Sequence, residues 1–406
     1  MASWLLFMAL ATEGFCRYLL HAGWPYTSPL MNEYFADIYN LVARFQHFHT
    51  LEFFTDRVDL PCMYPAPVAA CYRLFFYTAP HELAVLLTFV LTCFVVASVL
   101  LGRALVRQGL PPRATTAFLL FCLLTSYPVW FEMKQANLEI VSWFFLTLGL
   151  WCFTTERSYP AAIFLGIAGS LKITPFFYLG LLLARRQYRQ LAVALLAAMA
   201  VTIPSLWWEY PHILTSWRLT QAALGQFPGW VSLRLLPQTG FDHSIFGLVK
   251  RAIIHHVSAN TLASVLAVYS VVSLVAFVVL YFGWIRRLLL INQVLCLCVA
   301  TLVLPPTSFD YTLMSLYVPW ALLVMLAVRR RGAETPGLVP AMICFAILFT
   351  PETEFIWNFI SVGGQIKAVT LIALLVIALR YPFELSARLE NKAADLLHSP
   401  HPIATA

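Results

Sequence analysis

The chain has 406 residues, of which 61% are hydrophobic and 11% charged, with a mean hydropathy of +0.78 and a net charge of +7. Soluble domains are nearer half apolar and a quarter charged, so this composition excludes a soluble enzyme and leaves a polytopic, all-α membrane protein. The positive charge is then a question of topology rather than of nucleic-acid binding.

The N-terminal run 2–20 lacks a basic leader and is interrupted by Glu13, so it reads as a first span rather than a signal peptide. Glu13 and Arg17 lie at i,i+4 and can pair on one face. The run is short for a span, which favours a natural start a few residues upstream. Further apolar runs at 81–101, 114–130, 137–153, 190–206, 261–282, 289–304, 312–328, 338–350 and 365–379 each suit a helix near spanning length. Short basic loops stay cytoplasmic. With the N-terminus inside, Arg103, Arg107 and Arg113, then Arg185, Arg186 and Arg189, then Arg286 and Arg287, then Arg329 to Arg331 and the basic tail all fall on that face. Arg outnumbers Lys, in keeping with a GC-rich bacterial source, and for a multi-pass helical protein of such a source the expected location is the inner membrane.

One region resists this pattern. Residues 160–184 lie between Arg157 and Arg185, both placed inside, yet are too few to cross twice as full helices. The solution is a hairpin of two shortened helices that enters from the cytoplasm and turns at Lys172-Ile173-Thr174-Pro175. At 1.5 Å rise, an arm of about thirteen residues reaches about 20 Å, past the midplane. Such a turn needs protein or a wet cavity to satisfy its backbone. Counting both arms, the expectation is a bundle of about twelve membrane helices. A single domain then spans 1–392, with outer loops at 21–80 and 207–260 and a cytoplasmic tail at 393–406.

The first outer loop carries Asp37, Asn40, Arg44 and His47 at steps of three and four, opposite Phe35, Ile38, Leu41, Val42 and Phe45. This predicts an amphipathic helix over 33–52 on the outer membrane surface, whose polar face is either solvated or chemical. Cys62 and Cys71 are the one pair placed for an extracytoplasmic disulfide, although free thiols are the favoured state. Lys172 ends a small-residue helix, and Thr174-Pro175 reads as N-cap and first position of the next. A lysine at that depth beside a helix start is read as an anion site, against the alternative of a side chain snorkelling to water. Lys134, Gln135 and Asn137 mark an outer helix start, where capping and sugar hydrogen bonding are both open.

These segments, in this order, resemble glycosyltransferase family 87 of the GT-C superfamily, the polyprenol-phosphate-mannose-dependent α-mannosyltransferases. Asp37-Ile38-Tyr39 fits the acidic motif after the first span, and Tyr64-Pro65-Ala66 fits a Tyr-Pro-Pro closure with Ala as a departure. Lys134-Gln135-Ala136-Asn137 fits Gly-Gln-x-Asn with Lys in place of Gly, and Gly166 to Lys172 and Pro175 fits the hairpin. Asp242-His243-Ser244-Ile245-Phe246-Gly247, with Arg251 following, resembles an Asn-x-Ser-x-x-Gly stretch. The late Ser-Pro-x-Ser-Trp-x-His pattern is poorly kept: Pro305-Pro306-Thr307-Ser308-Phe309-Asp310-Tyr311 has no His, and Phe replaces Trp.

The resemblance implies an inverting transfer on the outer face from a polyprenyl-phosphate-linked sugar to a lipid or glycan acceptor, with Asp37 as base. Elementary chemistry agrees, because a phosphate departs as an anion and needs cations, while only the attacking hydroxyl needs a carboxylate. Glycosidases differ in needing a second carboxyl to protonate the leaving group. Lys172 and Thr174, with Arg218 and Arg234, are then the donor-phosphate candidates, the two arginines being equally open to structural pairing. Asn40, Arg44, Tyr64, Gln135, Asn137 and His243 are the sugar and acceptor candidates. Asp56 and Asp59 read as loop-solvating charges, and His47, His49, His255 and His256 lack metal-ligand spacing. No cofactor is expected, and a divalent ion is left open. The rival readings are a transporter or flippase for lipid-linked sugars, and a non-catalytic scaffold.

Overall fold

A computed structural model describes residues 45–55, 64–78, 81–125, 127–135, 138–227, 242–253, 256–329, 335–350 and 356–384 apart from isolated positions within them, together with 229, 232–233 and 240. The described residues are predominantly helical. In chain order the helices are α1 (Ala66–Phe76), α2 (Glu82–Arg107), α3 (Pro112–Thr125), α4 (Tyr127–Gln135), α5 (Glu139–Thr154), α6 (Ser158–Leu171), α7 (Leu179–Ala184) and α8 (Tyr188–Glu209). They continue as α9 (Ile213–Phe227), α10 (Ile245–Ile253), α11 (Ala259–Gly283), α12 (Leu290–Val303), α13 (Tyr317–Arg329), α14 (Leu338–Leu348) and α15 (Gly363–Arg380). One two-residue antiparallel ladder pairs Ile356 with Ser361 and Trp357 with Ile360.

Among the described residues, five helical segments are long and apolar enough to cross a membrane: Ala84–Arg107, Tyr188–Glu209, Ala259–Arg287, Asp310–Val328 and Gly363–Arg380. Shorter apolar helices, including Glu139–Thr154, Ser158–Leu171 and Leu290–Val303, pack between them. α12 is the most enclosed, with Ile291 through Val303 all buried. α11 instead presents Val268, Val271, Val272, Leu274, Val275 and Val279 outward, as a lipid-facing helix should. Where α1 and α8 end and α9 begins, Tyr77 stacks on Trp208 at 6.1 Å while Trp207 and Trp217 stand exposed, the aromatic signature of a membrane–water interface.

The run expected as one span over 114–130 is two helices, because Pro128 in the first turn of α4 supplies no N–H to continue α3. The amphipathic helix expected through residue 52 does not persist: residues 47–51 form a turn, with His49 at φ 80°, and a one-turn helix follows at Glu52–Thr55. Its apolar residues at this end meet protein rather than lipid. Phe45 packs on Tyr72 and Phe76, Phe48 on Trp208, and Arg73 donates to the Phe45 carbonyl at 2.8 Å. The part over 33–44 lies outside the described residues, as does Cys62, while Cys71 is a free thiol.

Over 160–184, where a short hairpin is expected, two short helices meet at a turn. α6 ends at Leu171, Lys172 turns extended at φ −146° and ψ 140°, and a 3₁₀ turn over Thr174–Tyr178 leads into α7. Thr174 is not the N-cap, however. Ile173 holds that position, and no side chain caps the turn. With only five residues in the 3₁₀ turn, the attraction for an anion rests on Lys172 rather than on a helix dipole.

The hairpin glycines have a packing cause. A Cβ on Gly166 would run into the Ala194 carbonyl oxygen of α8, and one on Gly169 would lie 2.5 Å from the Phe176 ring. Gly166→Ala therefore forces two backbones apart, an overpacking cost of about 1–3 kcal/mol. The expected result is a lower melting temperature in detergent and reduced folded yield on size-exclusion chromatography. An unaltered melting temperature would disprove the close approach.

Candidate functional site

The hairpin turn delivers Lys172 to the start of α5. Its ammonium is ion-paired with Glu139, whose side chain is 6% exposed against 31% for the lysine. Glu139 sits in the first turn of α5, and Glu132 on α4 accepts from the Ile140 amide at 3.0 Å. Ser142 donates to the Ala168 carbonyl at 3.2 Å, tying α5 to α6 in fixed register. Lys172 Nζ also lies 5.4 Å from the centre of the Tyr311 ring, which stacks on Phe131 with 8° between the planes. The turn is thus a half-open cation held by a buried carboxylate and an aromatic face.

A second polar cluster is fully enclosed. Asp242 Oδ1 accepts from the amides of Ser244 and Ser308, both at 3.0 Å. The Lys250 ammonium lies 4.0 Å from Asp242 Oδ2 and donates to the Ser232 carbonyl at 3.1 Å. Burial pushes the Lys250 pKa below the usual lysine range, and the Asp242 carboxylate opposes that fall. Across from it, the His243 ring faces Asp310 through Nδ1 at 3.3 Å and Ser308 Oγ through Nε2 at 3.0 Å, and Asp310 is ion-paired with Lys367. Asp310, His243 and Lys367 are each 0% exposed.

The order Asp310, His243, Ser308 has the outline of a nucleophile triad, but its placement argues against one. Ser308 is 3% exposed, and its Oγ also bonds to Thr312 Oγ1 at 3.0 Å. A nucleophile must reach a substrate, so this chain of bonds organises structure. What it organises is the loop 305–311, which joins the two clusters. Asp310 points to the buried pair, and its neighbour Tyr311 lies against Lys172.

Of the residues singled out in the sequence, Lys172 and Thr174 are together at the turn, with Thr174 half-buried. Tyr64 rests edge-on to Tyr72 at 5.4 Å, Gln135 is the last residue of α4, and Arg218 is exposed on α9. His243 is enclosed rather than at an open surface. Asp37, Asn40, Arg44, Asn137 and Arg234 lie outside the described residues. The basic residue enclosed behind the Asp242–Gly247 stretch is Lys250, one position before Arg251. Among the described residues, no group of three or more His, Cys, Asp or Glu side chains is arranged to hold a metal ion.

Sequence alone gives Glu139, Asp310, Tyr311 and Lys367 no site role. For Lys367 a signal existed: a lone lysine inside the apolar run 365–379 requires a buried counter-ion.

A family model, glycosyltransferase family 87, matches residues 63–306, more than half of the chain. The chain belongs to glycosyltransferase family 87. No curated protein and no solved structure matches it. As a member of family 87, and with its apolar helices, it is a membrane glycosyltransferase; the helical bundle is consistent with the GT-C superfamily. The matched region takes in the hairpin, Glu139, Asp242 and His243. Asp37 precedes it, and Asp310 and Lys367 follow it.

Proposed function

We propose that this glycosyltransferase is an inverting enzyme that moves a hexose, with mannose as the first reading, from a polyprenyl-phosphate carrier to a hydroxyl of a glycolipid or glycan on the outer face of a bacterial inner membrane. Lys172 carries the reading: a half-open ammonium at the turn of a short hairpin, inside an otherwise apolar bundle, suits the phosphate of a lipid-borne donor. In this mechanism Asp37 takes the proton from the acceptor hydroxyl, whose oxygen forms a bond to the anomeric carbon from the face opposite the carrier. The bond from that carbon to the phosphate oxygen breaks, and its electron pair stays on the phosphate beside Lys172. Arg218 and Arg234 are candidates for further neutralisation there. Asn40, Arg44, Tyr64, Gln135 and Asn137 are candidates for sugar and acceptor contacts. The enclosed His243 fits a supporting role for the loop bearing Tyr311. No metal step is required by this chemistry.

The test is sugar transfer from synthetic polyprenyl-phosphate-mannose by the purified protein in liposomes, with the glucose- and arabinose-bearing donors alongside. Lys172→Met should raise the donor KM about 10–100-fold, the worth of one charge-assisted hydrogen bond of about 1.5–3 kcal/mol. An unchanged donor KM would remove Lys172 from the phosphate site. Donor that crosses between leaflets without any product would favour the flippase reading instead.

A further inference from the structure

We infer that Glu139 sets the balance between donor and spent carrier at Lys172, and that its charge drives the carrier phosphate out after transfer. This rests on the reading of Lys172 as the donor-phosphate ligand. The intact donor is a phosphodiester with one negative charge. Breaking the sugar–oxygen bond leaves a phosphate monoester, which carries close to two charges at neutral pH. A lysine alone therefore binds the product more tightly than the substrate, and turnover would stall on the carrier.

The structure supplies the opposing charge. Glu139 is ion-paired with Lys172 and 6% exposed, so its charge is poorly screened by solvent. Lys172 is 31% exposed and has three N–H donors, enough to hold Glu139 and still offer a hydrogen bond to an arriving phosphate oxygen. Both ends of the pair are fixed. Glu139 is in a helical turn capped by Glu132, and the Ser142–Ala168 hydrogen bond keeps α5 in register with α6. The carboxylate thus cannot swing far when a ligand enters. Coulomb repulsion scales with ligand charge, so Glu139 opposes the dianionic carrier about twice as strongly as the monoanionic donor. A purely structural ion pair has a different signature: removing its carboxylate would loosen Lys172 and weaken both ligands.

The test measures equilibrium binding of polyprenyl phosphate and of polyprenyl-phosphate-mannose to the full-length protein in nanodiscs. For Glu139→Gln the Kd of polyprenyl phosphate should fall about tenfold and that of the donor about threefold, with kcat reduced and progress curves showing earlier product inhibition. Tighter binding cannot come from misfolding. If the Gln variant does not fold, Glu139→Asp, which withdraws the charge by one methylene, should give the same order of preference with a two- to threefold tightening of the carrier. An unchanged or weaker affinity for polyprenyl phosphate in the folded variant overturns the inference. Lys172→Met separates the two levels. Weaker binding of both ligands in that variant, without tightening in Glu139→Gln, defeats the role of Glu139 alone. Unchanged binding of both in Lys172→Met defeats the donor-site reading as well.

Discussion

Lys367→Met should be the most damaging single change to the fold, costing about 3–5 kcal/mol, because it strands a buried charge. Lys367 and Asp310 are both 0% exposed and ion-paired, with the lysine ammonium also 5.0 Å from the Tyr127 ring centre. Without the ammonium, the Asp310 carboxylate is left beside the His243 ring and near the Tyr127 phenol with no cationic ammonium to balance it, and no solvent reaches it. Asp310→Asn should be comparably harmful from the other side, leaving an ammonium inside an apolar helix bundle. The double variant Asp310→Asn with Lys367→Met carries neither charge and should recover most of the loss. Thermal unfolding of the four proteins in detergent, read by tryptophan fluorescence, checks this as a double-mutant cycle. If either single variant melts like the wild type, or if the two losses simply add, the pair is not what holds loop 305–311 to α15. A folded double variant with lowered kcat/KM would place the remaining importance of the pair in the position of Tyr311 against Lys172.

Asp37→Asn should reduce the transfer rate by a factor of about 10²–10⁴, the usual worth of a general base. The change keeps the shape of the side chain and removes its capacity to take a proton. Donor binding should persist, because in the proposed mechanism Asp37 meets the acceptor while the donor phosphate is held at Lys172. Asp56→Asn and Asp59→Asn, on the same loop, should leave the rate within about threefold of wild type. Retained activity in Asp37→Asn, or its loss in Asp56→Asn or Asp59→Asn, would move the base elsewhere. The assay is single-turnover transfer in liposomes at saturating donor, which separates chemistry from binding.

Much of the architecture was legible in the chain. Apolar runs near spanning length marked the helices, since a bilayer imposes length and hydropathy on each segment separately. The expectation of a hairpin over 160–184 rested on charge, with arginines at both ends and too few residues between them to cross twice; the described residues there form two short helices that meet at Lys172. Gly166 and Lys172 stand out in sequence, but the reason Gly166 has no side chain lies in α8, whose Ala194 carbonyl occupies that space.

What the tertiary structure alone decided is which charges meet. Lys172 takes its partner 33 residues earlier, His243 reaches Ser308 across 65 residues, and Lys367 finds Asp310 across 57. Helical periodicity and hydropathy report on neighbours a few residues away, whereas these pairs depend on which helix faces which and on the turn of each about its axis. A lone lysine such as Lys367 announces that a counter-ion must exist, because an unpaired ammonium in an apolar bundle is too costly. Its identity comes only from the packing, where the 3₁₀ turn at Asp310–Leu316 sets one carboxylate inward toward Lys367 and the next side chain, Tyr311, toward Lys172.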